Sequence, residues 1–156
     1  MNGKRDSRHS LAHLQMARPK DVKRMGELGI SAHMSPYWMI MDEGFDNFYL
    51  PYLGSERANN TYPHKSLFDA GVNVTVASDF ITSEPDLMTA IYRGMERSSE
   101  SGAKLSPVSE RVSFEEMLRA ATINGAIANF IEDEVGSLKV GKKADIVVLS
   151  KNLFEI

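Results

Sequence analysis

The side chains best suited to chemistry in this chain are four histidines, His9, His13, His33 and His64, and one aspartate, Asp79. The sequence holds 0 cysteines, which excludes a thiolate nucleophile, a disulfide framework and a Cys-ligated metal. Any bound metal would have to take imidazole, carboxylate and water as ligands. Asp79 immediately ends the apolar run Val72–Ser78. In parallel α/β folds, active sites gather at the C-terminal ends of strands. A carboxylate buried there is costly unless a metal or cation pairs with it. A turn or helix-capping aspartate fits the pattern equally well, because Ser83-Glu84-Pro85 follows closely. His13 lies in SLAHLQ, where a lone histidine is ordinarily a hydrogen-bonded core residue. His9 precedes it by an even spacing, so a strand would put both on one face, but ~13 Å apart. At most one of the two can therefore ligate a given ion. His33, inside ISAHMS, and His64, opening HKSLFDA, read as structural or supporting.

Several common chemistries have no motif here. The sequence contains no H-E-x-x-H, no G-x-S-x-G elbow, no Walker loop and no G-x-G-x-x-G. The basic stretch KVGKKAD is short and runs into an apolar segment, which reads as a solvated turn before an edge strand. Met34, Met39 and Met41, with Tyr37 and Trp38, follow a strand end and read as the wall of an apolar pocket, with core filling as the alternative.

The elements that must position these residues follow from periodicity and punctuation. Ser10–Gln15 reads as a strand. Pro19 opens a helix that Gly29 ends, the usual proline-first, glycine-last asymmetry. Ile30–Ser35 is a second strand, closed by Pro36. Residues 36-62 form a long irregular stretch, of a length that is usually functional or carries short helices of its own. A short helix over His64–Ala70 stops at Gly71, and the β-branched run Val72–Ser78 is the clearest strand. Pro85 starts the helix DLMTAIYRGMER, with Leu87, Ile91 and Met95 on one face. A Ser/Gly/Pro linker spans 98-112. Ser113 with Glu116 forms a capping box opening FEEMLRAAT, and NGAIANFI continues as helix. Residues 136-149 read as a turn and a strand. Strands and helices alternating in this way imply a parallel α/β arrangement. Three strands do not close a barrel, which typically needs ~250 residues.

Composition narrows the classes further. The chain has 156 residues, 42% hydrophobic and 25% charged, enough for a sizeable core and unlike a disordered chain. A net charge of -3 with mixed signs gives no electrostatic case for nucleic acid or an anionic membrane surface. The polar start MNGKRDSRHS lacks a signal-peptide core, and no apolar run approaches the ~20 residues of a membrane span. The cytoplasm is the default compartment.

Taken together, RHSLAHLQ (8-15), PKDVKRMGELGISAHMSP (19-36), LGSERA (53-58), YPHKSLFDAGVNVTVASD (62-79), FEEMLRAATINGAIANF (114-130) and GSLKVGKKADIVVLSKNLF (136-154) resemble the amidohydrolase superfamily, in particular its family 3 branch related to N-substituted formamide deformylases. The last block is the most specific. The resemblance implies the C-terminal portion of a (β/α)8 TIM-type barrel, strands six to eight with their helices, over residues 1-135. The start of a small β-sandwich would follow over 136-156. It places His13 on the strand-six metal histidine and Asp79 on the strand-eight aspartate that binds the metal and moves protons. His9 would support them, and Arg57 and Arg93 would lie near substrate. It implies a divalent metal, with zinc expected, and hydrolysis of a small amide-type C–N bond. The family's H-x-H pair, strand-four ligand and strand-five histidine have no counterparts here, so the chain is expected to be a fragment inactive alone and to bind zinc weakly. The other readings are a non-catalytic truncated module that self-associates or binds a partner, and a small α/β binding domain unrelated to hydrolases. For a fragment or a truncated module, a homo-oligomer or a separate N-terminal half would cover the open sheet. His33 stands where a small or apolar residue is expected.

Overall fold

A computed structural model describes residues 5–154. Residues 1-4 and 155-156, the outer ends of the two expected segments, lie outside the described residues. The centre is a parallel sheet of three short strands, β1 (Ser10–Ala12), β2 (Ser31–Met34) and β3 (Val74–Val76), in the order β1-β2-β3. The registers align Ala12 with His33 and His33 with Thr75. Partners in register point to the same face, and the face alternates along each strand. Leu11, Ala32, Met34, Val74 and Val76 therefore look one way. Ser10, Ala12, Ser31, His33, Ser35, Thr75 and Ala77 look the other.

The first face carries the core. Ala32, Met34 and Val74 are fully buried against Val22 and Met25 of α1 (Pro19–Leu28) and Leu67 of α3 (His64–Asp69). Gly26 lets α1 approach α3 closely, since a Cβ there would stand 1.9 Å from the Ala70 carbonyl oxygen. Gly29 ends α1 in the left-handed region at φ 65°, as its position predicts. A second cluster joins Ile91 of α4 (Leu87–Glu96), Val112 and Met117 of α5 (Phe114–Ala120). The capping box of α5 is present, with Ser113 and Glu116 each bonding the other's backbone N–H. α6 (Ile123–Ala128) packs on β3, where the Asn124 amide donates to the Val74 carbonyl at 2.9 Å. No helix among the described residues is long and apolar enough to cross a membrane.

The structure departs from the sequence expectations at four places and fills in a fifth, the stretch 36-62, with the short helices expected of its length. β1 stops at Ala12 because His13 and Leu14 take left-handed backbones, φ 69° and 47°. The irregular stretch 36-62 holds a 3-10 turn at Pro36–Trp38, a π-helical turn at Phe45–Tyr49 and α2 (Leu50–Ala58), kinked at Gly54. The methionines are core: Met34 and Met39 are fully buried and Met41 packs on the same cluster. Segment 98-112 is an anchored arm, held by a Ser98–Lys104 bridge and the buried Leu105. The strand expected in 136-149 is absent, and Ile146, Val147 and Val148 are 60%, 81% and 90% exposed. A strand needs a ladder partner for its N–H and C=O groups, and no described residue pairs with this segment. Lys142 instead ties its turn together, donating to the carbonyls of Glu132 and Val135 and to Ser137 Oγ.

Candidate active site

The site lies where the strands of the parallel sheet end. His13 follows β1 directly, and its backbone N–H donates to the His33 carbonyl at 2.9 Å, continuing the ladder for one more residue. The left-handed turn at His13 then takes the chain out of the sheet. On β3 the ladder continues to Ala77, whose N–H donates to the Met34 carbonyl at 2.8 Å. Asp79 follows two residues later with φ 55°, a conformation aspartate tolerates better than most residues. Ser10, Ala12, His13, His33, Ser35, Ala77 and Asp79 line one open cavity of about 350 Å³.

His13 and Asp79 thus face a common space from the same rim. Asp79 is exposed, so the burial penalty that pointed to it from sequence does not operate; its place on the cavity carries the case instead. It is not a helix cap either. Asp86 caps α4, accepting from the Met88 N–H at 3.0 Å and from Thr89 Oγ1 at 2.6 Å. Among the described residues, no side chain or N–H donates to the Asp79 carboxylate, which leaves it free for a ligand or a proton. The Nδ1 of His13 is buried and has no hydrogen-bond partner among the described residues. Its ring stacks on Trp38 at 5.1 Å between centroids and 16° between planes.

His33 is the residue that sequence reading left without a role. It shares the cavity with His13 and Asp79 because it sits on the open face of β2, in register with Ala12 and Thr75. The only sequence signal for this was parity: His33 and Ser35 share a face opposite to Ala32 and Met34. Thr75, beside it, keeps a buried hydroxyl without a partner.

Three other residues with assigned roles lie elsewhere. His9 is exposed at the opposite end of β1, where its carbonyl accepts from the Ser31 N–H at 2.7 Å. Arg57 is exposed on α2 and donates to the Leu53 carbonyl at 2.8 Å. Arg93, on α4, donates to the Tyr37 carbonyl at 2.6 Å and lines a neighbouring cavity of about 440 Å³. Trp38 lines that cavity too.

The donor set fits a divalent metal in kind: two imidazoles, those of His13 and His33, and the Asp79 carboxylate border one space. It falls short in number. Among the described residues, no three His, Asp or Glu side chains converge closely enough to hold an ion by themselves. A catalytic zinc site ordinarily takes three protein ligands.

A parallel α/β unit with carboxylate and imidazole groups at its strand ends carries them where active sites gather in such folds. Comparison with known proteins gives the family. The amidohydrolase family model matches residues 1–156, and this chain belongs to that family. Protein LONG AFTER FAR-RED 3 of Arabidopsis thaliana is 33% identical over 155 residues, covering 99% of this chain and 26% of the relative. The N-substituted formamide deformylase of Arthrobacter pascens is 31% identical over 143 residues, covering 91% of this chain and 26% of the enzyme. The chain therefore spans about a quarter of the length of these curated relatives. Among solved structures, an uncharacterized metal-dependent hydrolase from Pyrococcus horikoshii superposes with a TM-score of 0.78 at 19% identity, covering 92% of this chain and 29% of the other. That likeness supports the fold.

Proposed function

We propose that this chain carries the C-terminal part of a metal-dependent hydrolase acting on small amide-type C–N bonds. The observation that carries the reading is the shared cavity of His13, His33 and Asp79 at the ends of three parallel strands. Strands β1, β2 and β3 would be barrel strands six, seven and eight. The open face of small and polar residues would then look into the barrel, and residues from 136 onward would enter a sandwich whose partners lie elsewhere.

His13 and Asp79 would hold a divalent cation, for which zinc suits the imidazole and carboxylate donors. When bound, such an ion lowers the pKa of its water and polarises a carbonyl. The chain's own residues do the rest. Asp79 accepts a proton from the attacking water and delivers it to the leaving nitrogen, so its exposed, unbonded carboxylate is the form that chemistry requires. His33 offers an N–H toward the carbonyl oxygen as negative charge develops there. Arg93, by holding the Tyr37 carbonyl, fixes the turn that separates the site from the adjoining cavity.

The partner would be the N-terminal remainder of the barrel or a second copy of this chain, covering the open face and the free edges of β1 and β3. The cytoplasm is the compartment we assign.

The decisive experiment combines this chain, alone and with a co-expressed N-terminal segment of the deformylase relative, with zinc and N-substituted formamides. Turnover is expected in the combined preparation, and Asp79→Asn is expected to lower it by a factor on the order of 10² to 10⁴. Turnover indifferent to Asp79→Asn would refute the assignment.

A further inference from the structure

We propose that Trp38 is a positioning residue for the His13 imidazole and that Ser83 anchors it in that task; the inference rests on the reading of His13 as a metal-site histidine. Trp38 ends the 3-10 turn that follows β2. Its ring lies nearly parallel to His13, and its Nε1 donates to Ser83 Oγ at 2.9 Å. Ser83 belongs to the segment that follows β3 and contains Asp79. The indole therefore links the exits of all three strands: His13 after β1, its own turn after β2 and Ser83 after β3.

The arrangement answers a specific need. A ligating histidine is normally oriented by a hydrogen bond from its second ring nitrogen to a carboxylate or carbonyl. His13 has no such bond, because its buried Nδ1 is unpaired. The ring is left to be oriented through its face. Stacking engages the π surface and restricts rotation of the ring, while the nitrogen lone pairs lie in the ring plane and stay available. The hydrogen bond to Ser83 does the same for the indole, which could otherwise turn about its own side-chain torsions. Stacked aromatic pairs prefer this separation range. Trp38 also lines the cavity that holds Arg93, Asp42 and Asp86, so it stands between that space and His13.

The chain has 1 tryptophan, so the indole signal reports this position alone. The test uses the full chain with zinc ions as the probe. His13 ring protons and indole emission are followed in wild type, Trp38→Leu, Trp38→Phe, Ser83→Ala and His13→Ala, with thermal melts to verify folding. Without zinc, the His13 ring protons should be displaced upfield by the indole in wild type and return to ordinary positions in Trp38→Leu; no displacement in wild type overturns the proposal. With zinc, Trp38→Leu should weaken affinity at least ~10-fold, the loss typical for removal of a group that orients a ligand. Trp38→Phe keeps a stacking face and should recover most of it, with Ser83→Ala in between. Equal affinity in wild type and Trp38→Leu, with binding lost in His13→Ala, would remove the role of Trp38 and leave the metal reading intact. Zinc affinity unchanged in His13→Ala would instead remove the metal reading. Trp38→Phe as weak as Trp38→Leu would overturn the stacking argument.

Discussion

His13 and His64 both carry buried ring nitrogens without hydrogen-bond partners, yet their surroundings are opposite. His13 borders an open cavity at the strand ends, with its buried Nδ1 unpaired among the described residues and one ring face stacked on Trp38. His64 is the first residue of α3, fully buried, with both nitrogens unpaired and Phe68 at 5.5 Å. Its neighbourhood includes the guanidinium of Arg97, itself fully buried. That cation is met by four carbonyls, those of Thr61 at 2.9 Å, Tyr62 at 3.0 Å, Ser106 at 3.2 Å and Leu105 at 3.3 Å. Arg97 thereby pins the 98-112 arm to the segment before α3. Desolvation lowers the Arg97 pKa to about 10, and burial, with the Arg97 charge, lowers that of His64 to about 3. A ring that reaches a cavity can present a nitrogen to a ligand there. An unpaired nitrogen in a closed interior cannot, so His64 stays neutral and its cost is absorbed by packing.

The largest effect should come from the closed region. Arg97→Ala strands three buried carbonyls and one part-buried one, and a loss of about 3–5 kcal/mol is expected. Urea unfolding would show it as a lower midpoint at similar slope, and a midpoint near wild type would mean that Arg97 does not hold the arm.

Acid comes next. The folded chain refuses a proton at His64 until about pH 3, whereas the unfolded chain takes one near 6.5. Stability from this group is complete above pH 6.5 and declines as pH falls toward 3, by roughly 1.4 kcal/mol per unit at most. His64→Leu should flatten that acid limb in pH-dependent melts. An unchanged limb would assign the loss to other groups.

His13→Gln should contrast with both, costing under about 1 kcal/mol, because the ring sits at a half-open rim. It should abolish any zinc-induced rise in melting temperature, while His64→Leu leaves that rise in place. Measuring both variants with and without zinc separates a ring that borders a cavity from one sealed in the interior.

The smallest effect is expected at Thr75. Its unpartnered buried hydroxyl contributes no hydrogen bond, so Thr75→Val should change stability by less than about 1 kcal/mol, in either direction. A larger loss would show that the hydroxyl has a partner in solution.

Much of the fold was legible because its signals are local. Pro19 and Gly29 bounded α1, Ser113 and Glu116 opened α5, and the β-branched run over 72-78 contained β3. The parallel order of three strands followed from alternation with helices. The segment 136-149 was misread for the complementary reason. Its apolar, β-branched residues state a preference for pairing, and pairing needs a neighbour that these described residues do not supply.

The candidate site was half legible. His13 and Asp79 were singled out from strand position and family pattern, and they do share a cavity. His33 was not placed there, because its membership depends on register; Tyr37 and Trp38, read as a pocket wall, do line a cavity, the neighbouring one. The interior pair His64 and Arg97 was equally hidden, since the two lie 33 positions apart and nothing local to either signals their meeting. By itself the sequence determined the kinds and order of most elements up to residue 130 and the available chemistry, a cysteine-free set of imidazoles and carboxylates. Such choices depend on neighbours within a few residues, where periodicity and capping act. Only the tertiary structure decided which polar groups meet at the rim and which are sealed in the interior. Those meetings join residues dozens of positions apart, through a sheet register and helix packing that no local pattern encodes.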